Sequence, residues 1–227
     1  MVVCSGNDAG NAIALTFDDG PLSPYTEAIL DALDEYGAHG TFFVRGSAVT
    51  AHTSRLVLRA RDGGHEVGNH TQNHLSLADV PVEEVEAEIA QTHELLGELL
   101  GSKPAVIRPP YGLGSATVNS CASALGYRAT ILWNISPNDW ELPSAETIVQ
   151  RVLDGENPDH EEVRQHCGCL EQSPLAGAIV LLHDGCPRTG EHESRAETVK
   201  AVRTLIPRLQ SLGLRLVTAS QLLDEAV

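Results

Sequence analysis

The most constraining feature of the chain is a regular alternation of strand-like and helix-like segments along its length. Short runs of apolar, β-branched and aromatic residues predict strands at 12–17, 41–44, 65–68, 105–108, 129–135, 177–182 and 214–218. Longer segments with apolar residues three or four positions apart predict helices at 27–36, 54–61, 82–100, 116–125, 145–153 and 197–212. Strands separated by helices run parallel and are covered by those helices. The pattern therefore predicts an α/β fold, built as either an open sheet or a barrel.

Polar residues stand directly after several of the predicted strands. They are Asp18 and Asp19, Asn69 and His70, Arg108, Asp139, and His183 and Asp184. In a barrel the carboxyl ends of all strands meet at one mouth, where barrel enzymes hold their chemistry. An open sheet would bring together only the ends next to its switch point. The positions of these polar residues therefore favour a barrel.

Composition limits the classes of function that the chain can have. Its 227 residues carry 31 acidic against 15 basic side chains, a formal net charge of −16. This balance argues against a nucleic-acid binder and against a binder of anionic membranes, because both need a basic surface. The sequence also has no apolar stretch close to the roughly 20 residues that a membrane span requires.

The sequence contains no internal repeat and no linker, so residues 1–227 are predicted to form a single domain. One polar segment, 154–174, interrupts the alternation and is predicted to be an insertion loop. The N-terminus lacks the basic start and the apolar core of a signal peptide. We therefore expect a cytoplasmic protein as the chain stands, or a secreted protein whose leader has been removed.

His70 and His74 lie four positions apart in the segment HTQNH. On a helical turn such a pair faces one way and can bind one divalent ion, although two surface histidines are the plain alternative. A carboxylate from another strand end would complete a site of two histidines and one acid. This donor set leaves positions open for a water and a substrate oxygen, as in catalytic zinc sites.

The adjacent carboxylates in TFDDGP can divide two tasks, because neighbouring residues at a strand end point in different directions. One of Asp18 and Asp19 could ligate a metal while the other faces a bound water. Two unscreened carboxylates this close raise each other's pKa, unless a metal and an arginine compensate their charges. Arg108 is the candidate arginine, and an ordinary surface arginine is the alternative.

His183 follows four aliphatic residues in IVLLHDG. It is either a satisfied core histidine or a general acid at the mouth, with Asp139 fixing its tautomer and keeping it protonated. The neighbouring Asp184 is expected to accept hydrogen bonds from the backbone. The remaining histidines have no comparable setting and are expected to be structural or solvated.

Five short segments occur in the order and at the spacing of the five motifs of one enzyme family. They are TFDDGP, HTQNH, RPPYG, SPNDW and LLHDG. Through them the chain resembles the polysaccharide deacetylases, the NodB-like group or carbohydrate esterase family 4, over about residues 12–224. The resemblance implies an irregular (β/α)7 barrel that forms one catalytic domain.

The resemblance also implies a role for each matching residue. Asp18 is implied as the catalytic base and Arg108 as the residue that orients it. Implied ligands of one divalent metal ion, Zn²⁺ or alternatively Co²⁺, are Asp19, His70 and His74. His183 is implied as the general acid, tuned by Asp139, and the backbone N–H of Tyr111 as an oxyanion donor. Implied substrate contacts are Pro109, Tyr111, Trp140 and Leu182, the last as a wall of the acetyl-methyl pocket.

The implied reaction is metal-assisted hydrolysis of an N-acetyl or O-acetyl group on a carbohydrate. Aromatic residues make up only 4% of the chain, and its acidity would repel anionic polymers. Both features favour an acetylated amino sugar, an oligosaccharide or a sugar-bearing metabolite over long polymers. A catalytically silent carbohydrate-binding relative is the alternative from another class, and the intact acids and histidines argue against it.

Three cysteines lie in or near the insertion loop. A disulfide from Cys186 to Cys167 or Cys169 would hold the 154–174 loop over the mouth. Three unrelated thiols are the alternative, and the sequence alone does not choose between them.

Overall fold

The computed structural model describes residues 1–6, 9–157, 163, 173–187 and 194–226. The strands within these ranges are β1 (Val2–Val3), β2 (Ala12–Asp18), β3 (Gly40–Val44), β4 (Glu66–Asn69), β5 (Val106–Ile107), β6 (Ala129–Ile131), β7 (Ile179–His183) and β8 (Arg215–Leu216). The α-helices are α1 (Tyr25–Glu35), α2 (Ser54–Asp62), α3 (Val82–Leu100), α4 (Ala116–Ala124), α5 (Ala145–Leu153), α6 (Ala196–Ser211) and α7 (Ala219–Glu225). None of the helices in the described ranges combines the length and the apolar character that crossing a bilayer requires.

The strand pairs are all parallel, which confirms the α/β fold predicted from the alternation of elements. The strand order is β1-β6-β5-β4-β3-β2-β7, and β8 pairs with the start of β2. Beyond β6, Ile135 forms an isolated parallel bridge with Val180 of β7, the strand at the other end of this order. A second isolated bridge, antiparallel, joins Ser5 after β1 to Ala178 before β7. The two ends of the sheet therefore approach each other through two isolated bridges, and no continuous ladder closes the barrel among the described residues.

Side chains of strand β2, which pairs with β3, β7 and β8, alternate between two faces. Ile13, Leu15 and Phe17 are fully buried in a core cluster that they share with the surrounding helices. On the other face, small residues and Thr16 leave space within the sheet for the side chain of Arg108. Arg108 is fully buried there and donates a hydrogen bond from Nη1 to the Thr16 hydroxyl at 2.8 Å. The interior face of β2 is therefore polar toward its carboxyl end.

Four elements differ from the sequence prediction, and one of them is α7, a helix that was not predicted. Strand β6 ends at Ile131 rather than at residue 135, because the following residues leave it to contact β1 and β7. The last strand is short because Thr218 is the N-cap of α7, where it forms a capping box with Gln221. The two-residue strand β1 was not predicted, since so short a segment carries no periodicity.

Candidate metal and catalytic site

The carboxyl ends of β2, β4 and β7 open into one cavity of about 490 Å³. Its walls are formed by Asp18, Asp19, His70, His74, Tyr111, Trp133, Trp140, Glu141, Leu181, His183, Pro187 and Arg195. The parallel register aligns Asp18 of β2 with His183 of β7, so these two residues face the cavity from neighbouring strands. The polar ends of these three strands thus meet at one mouth, as the sequence predicted for Asp18, Asp19, His70 and His183.

Arg108 holds Asp18 at the floor of this cavity. Arg108 Nη1 donates to Asp18 Oδ1 at 2.7 Å, and both side chains are buried. The guanidinium also donates from Nε to the Ile131 carbonyl and from Nη2 to the Leu132 carbonyl, each at 3.0 Å. Its Cζ lies 4.2 Å from the centre of the Phe43 ring. Burial lowers the pKa of Arg108, and the Asp18 charge opposes this effect. Because the side chain is fully buried, the alternative of an ordinary surface arginine is wrong.

Asp19, His70 and His74 form a candidate metal site beside this pair. Each offers one ligand atom, and these atoms lie within 4.8 Å of one another. The Nε2 atoms of His70 and His74 lie 3.5 Å and 3.3 Å from Asp19 Oδ1. That oxygen is buried and accepts no hydrogen bond from the described residues. Because a buried carboxylate oxygen without a partner is costly, this donor set fits a divalent cation.

The backbone between the two histidines is not helical, so a helical turn is not what makes the two side chains face one way. Thr71 and His74 have φ values of 63° and 60°, and these left-handed residues bring the two rings together. His70 Nδ1 lies 2.7 Å from the backbone oxygen of Arg108, which leaves Nε2 facing Asp19. Burial lowers the pKa of both histidines, that of His74 to about 4, so both rings are neutral as metal ligands must be.

The turn that ends β2 separates the two adjacent carboxylates. Asp19 has a φ of 75°, and burial raises its pKa. The turn is fixed by Asp184, whose Oδ1 accepts from the Gly20 N–H at 3.1 Å and whose Oδ2 accepts from the Thr26 hydroxyl at 2.6 Å. A Cβ atom on Gly20 would lie 2.1 Å from Asp184 Oδ2, so the close approach requires glycine. The bond from the Gly20 N–H confirms the predicted hydrogen bond from the backbone to Asp184.

Asp139 and His183 form a second polar pair across the cavity. Asp139 Oδ1 lies 2.7 Å from His183 Nδ1, and its Oδ2 accepts from the His183 N–H at 2.9 Å and from the Thr198 hydroxyl at 2.8 Å. Burial acts to lower the pKa of His183, but the charge and hydrogen bond of Asp139, helped by other cavity carboxylates, raise it to about 9. His183 is therefore protonated at neutral pH, with Nδ1–H directed to Asp139.

The residues predicted to contact substrate fall into two groups. Tyr111 and Trp140 line the cavity and are 54% and 44% exposed. Pro109 and Leu182 are buried and do not line the cavity among the described residues. Leu182 instead packs in the core that the sheet shares with the helices, and Leu181 lines the cavity in its place. The reason is that successive residues of a strand point to opposite faces.

Several cavity residues were not predicted from the sequence. Glu141 directly follows Trp140 in a motif already singled out, so its position in the sequence was a usable signal. Arg195 had no such signal, because it lies far from every motif. It is buried and donates from Nε to the Gly185 carbonyl at 2.7 Å. The remaining unpredicted cavity residues are Trp133, Leu181 and Pro187.

The structure decides between the two alternatives that the sequence left open for Cys186. Cys186 is a buried free thiol, so the disulfide from Cys186 to Cys167 or Cys169 is wrong. Cys167 and Cys169 lie outside the described residues, as does most of the predicted 154–174 loop. Cys4, for which no pairing was predicted, is disulfide-bonded.

Comparison with known proteins places this site in a family. Residues 5–130 match the family model described as polysaccharide deacetylase. The chain is 35% identical over 212 residues to a peptidoglycan-N-acetylglucosamine deacetylase of Bacillus cereus, and the alignment covers 93% of this chain and 87% of the relative. It is 36% identical over 222 residues to a chitooligosaccharide deacetylase of Rhizobium leguminosarum bv. trifolii, with 96% and 94% covered.

Structural comparison agrees with the sequence matches. The structure of the peptidoglycan deacetylase PdaC from Bacillus subtilis superposes with a TM-score of 0.76 at 32% identity, covering 95% of this chain and 91% of that chain. The similarity includes the strands that carry the cavity residues, since it extends over nearly the whole chain. The protein belongs to the polysaccharide deacetylase family.

Proposed function

We propose that this chain is a metal-dependent hydrolase that removes N-acetyl groups from an acetylated amino sugar, with O-acetyl groups as the alternative. One observation carries the proposal. The register of β2 and β7 aligns the Arg108-bound Asp18 with the Asp139-bound His183, and the Asp19, His70 and His74 cluster lies in the same cavity. A proton acceptor, a proton donor and a metal site thus line one cavity, which is the set of groups that hydrolysis of an acetamido group requires.

Asp19, His70 and His74 would hold the metal ion, which we propose to be Zn²⁺, with Co²⁺ as a functional substitute. When bound, such an ion polarises an acyl carbonyl and lowers the pKa of water. Asp18 would take the proton of the attacking water. Arg108 occupies Asp18 Oδ1, and Asp18 Oδ2 lies 3.7 Å from His70 Nε2, so the free oxygen is the one next to the metal ligands.

His183 would complete the reaction by giving its proton to the departing amine as the acetyl C–N bond breaks. Because Nδ1 is bound to Asp139, the proton that can be transferred is the one on Nε2. The backbone N–H of Tyr111 is our candidate donor to the developing oxyanion, and one such donor is typically worth about 3–4 kcal/mol. The exposed rings of Tyr111 and Trp140 would contact the sugar, and Leu181 would contact the acetyl methyl group.

Within the amino sugars we propose short, uncharged N-acetylglucosamine oligomers as the substrate. The chain carries a formal charge of −16, which opposes the approach of anionic polymers. Glu141 adds a carboxylate at the cavity mouth, and Arg151 Nη1 lies 3.7 Å from it but donates to the Pro137 carbonyl at 2.9 Å. The relatives include an enzyme named for chitooligosaccharides, which are oligomers of the kind proposed here, and one named for peptidoglycan.

The test is acetate release from a panel of acetylated sugars by metal-stripped protein with and without added Zn²⁺ or Co²⁺. The panel contains N-acetylglucosamine, its short oligomers, chitin and peptidoglycan. We expect metal-dependent acetate release that is fastest with the short oligomers. Activity confined to the polymers would overturn the substrate assignment. Metal binding without acetate release from any sugar would indicate the silent carbohydrate-binding relative instead.

We also propose that the protein works in an oxidising compartment. Cys4 is disulfide-bonded, and disulfides persist outside the reducing cytoplasm. This favours the secreted alternative over the cytoplasmic one. Thiol titration of the denatured protein before and after reduction is the test, and equal thiol counts would contradict the proposal.

A further inference from the structure

Helix α3 carries four glutamates near its start, and one of them differs from the others. Glu83, Glu84 and Glu86 are exposed, whereas Glu88 is buried with 4% of its surface accessible. No ion pair to Glu88 is found within the described ranges. A carboxylate buried in this way must have its charge compensated by hydrogen bonds.

The hydrogen bonds of Glu88 go to a single residue. Its Oε2 accepts from the backbone N–H of Asn73 at 2.7 Å, and its Oε1 accepts from Asn73 Nδ2 at 2.6 Å. Asn73 is the residue directly before His74 in the HTQNH segment. One carboxylate oxygen of Glu88 therefore holds the backbone next to a candidate metal ligand, and the other holds the side chain of the same residue.

The segment that Glu88 holds has a backbone that needs support. Thr71 and His74 both lie in the left-handed region, which residues with a side chain rarely adopt. Such conformations persist only where surrounding contacts determine them. Without that support the segment would relax, and the ring of His74 would leave its position 3.3 Å from Asp19 Oδ1.

Other contacts from α3 reach the same segment. Asn69 Nδ2 donates to the Ile89 carbonyl at 2.9 Å, and the Thr92 hydroxyl donates to Gln72 Oε1 at 3.0 Å. These bonds hold the residue directly before the segment and the middle of the segment. Glu88 holds its end, and it does so with the two shortest of these bonds and with a charged acceptor.

We propose that Glu88 is a positioning residue of the metal site, which presets the HTQNH segment so that His74 meets His70 and Asp19. The inference rests on the proposed function, because it assumes that these three residues bind the catalytic ion. Glu88 does not touch the ion or the substrate. It acts through Asn73, and its loss should appear first as a loss of metal affinity.

The first test replaces Glu88 by glutamine, which keeps the shape but cannot accept from both Asn73 groups with two oxygens. The Zn²⁺ dissociation constant is measured by competition with a chromophoric chelator, and the geometry by the visible absorption of the Co²⁺-loaded protein. We expect Glu88→Gln to weaken Zn²⁺ binding by about 10–100-fold, the range found when a residue that orients a ligand is lost. The Co²⁺ absorption should also change. Glu86→Gln, on the exposed face of the same helix, should leave both unchanged.

A second variant covers the case in which Glu88→Gln does not fold. Asn73 is exposed, and Asn73→Ala removes one of the two bonds while its backbone N–H stays paired with Glu88. We expect this variant to fold and to weaken Zn²⁺ binding by a smaller factor than Glu88→Gln. Thermal unfolding of the metal-free proteins shows whether affinity is lost without a matching loss of stability.

The outcomes separate this inference from the proposed function. A parent protein that binds no Zn²⁺ would overturn both. A parent that binds Zn²⁺ and releases acetate, with Glu88→Gln and Asn73→Ala within twofold of its affinity and unchanged in Co²⁺ absorption, would overturn only the role of Glu88.

Discussion

On one side of the cavity His70 and His74 lie around Asp19, and on the other side His183 lies against Asp139. Burial lowers the pKa of the first two histidines, that of His74 to about 4. Burial acts on His183 in the same direction, yet the hydrogen-bonded Asp139 outweighs it and raises the pKa to about 9. The same side chain is therefore neutral in one place and charged in the other.

The difference comes from what each carboxylate is bonded to. Asp139 accepts three hydrogen bonds, including one from the backbone of His183, so its charge is fixed against the imidazole. Asp19 Oδ1 accepts none among the described residues, and His70 directs its other ring nitrogen to the backbone oxygen of Arg108. The first arrangement holds a proton, and the second presents lone pairs to a cation.

The largest effect is expected from removing a ligand on the metal side. His70→Ala takes away one imidazole and should weaken Zn²⁺ binding by more than about 100-fold, since even residues that only orient ligands cost about 10–100-fold. Acetate release should fall to background. Zinc content after dialysis, measured by mass spectrometry, and acetate release are the measurements. The matched control is His52→Ala at an exposed histidine, and a zinc-loaded His70→Ala protein would contradict the assignment.

Asp18→Asn is expected to separate chemistry from metal binding. The amide keeps the shape of the carboxylate beside Arg108 but cannot take a proton from water. We expect kcat to fall by about 10²–10⁴-fold, the usual contribution of general acid–base catalysis, with zinc content unchanged. Loss of zinc together with activity would mean that Asp18 is itself a ligand, and the two carboxylates would then exchange roles.

Asp139→Asn should move the alkaline limit of activity. Without the Asp139 charge, burial acts on His183 with less opposition, so its pKa falls from about 9 toward or below its ordinary value of 6.5. The acid must be protonated to act, so activity should be lost at lower pH than in the parent. The pH profile of kcat measures this shift.

The Asp139–His183 pair also predicts how the free energy of unfolding depends on pH. Because the folded pKa of His183 is raised, its contribution to the free energy of unfolding is complete below about 6.5 and is lost as pH rises through about 9. Asp139→Asn should remove this pH dependence, as measured by denaturant unfolding at several pH values. Thr198→Val removes only a neutral hydrogen bond to Asp139, so it is the matched control and should change the pH dependence of unfolding less. Equal changes in the pH dependence of unfolding for Asp139→Asn and Thr198→Val would contradict an effect of the Asp139 charge.

Local patterns predicted much of the site. Asp18, His70 and His183 stand directly after apolar strands, and parallel strands bring their carboxyl ends together, so the cavity follows from the order of elements. The pairing of Arg108 with Asp18 followed from the need to compensate two adjacent acids. These features depend on residues within short segments and on the order of the segments, so they could be predicted from the sequence.

Features that depend on distant partners could not be read in this way. All residues of IVLL are buried, so the sequence shows no alternation that would tell Leu181 from Leu182, and only the sheet determines which faces the cavity. Glu88 resembles its exposed neighbours on α3 in sequence, and both of its hydrogen bonds come from Asn73, which lies in a separate loop. The left-handed residues of HTQNH are likewise held by contacts from other elements rather than by local propensity.

The smallest effect is expected at the cavity mouth, away from both the His70–His74 pair and His183. Glu141→Gln removes one half-exposed charge, and exposed charges contribute little, so we expect the ratio of kcat/KM for carboxylate-bearing over uncharged glycans to rise only about threefold. The rise should disappear at high ionic strength, because salt screens exposed charges. Competition between an N-acetylmuramic-acid-containing fragment and a chitooligosaccharide measures the ratio, with Glu146→Gln on α5 as the exposed control. A ratio unchanged at low salt would show that Glu141 does not select substrates, and discrimination would then have to come from the shape of the cavity around Tyr111 and Trp140.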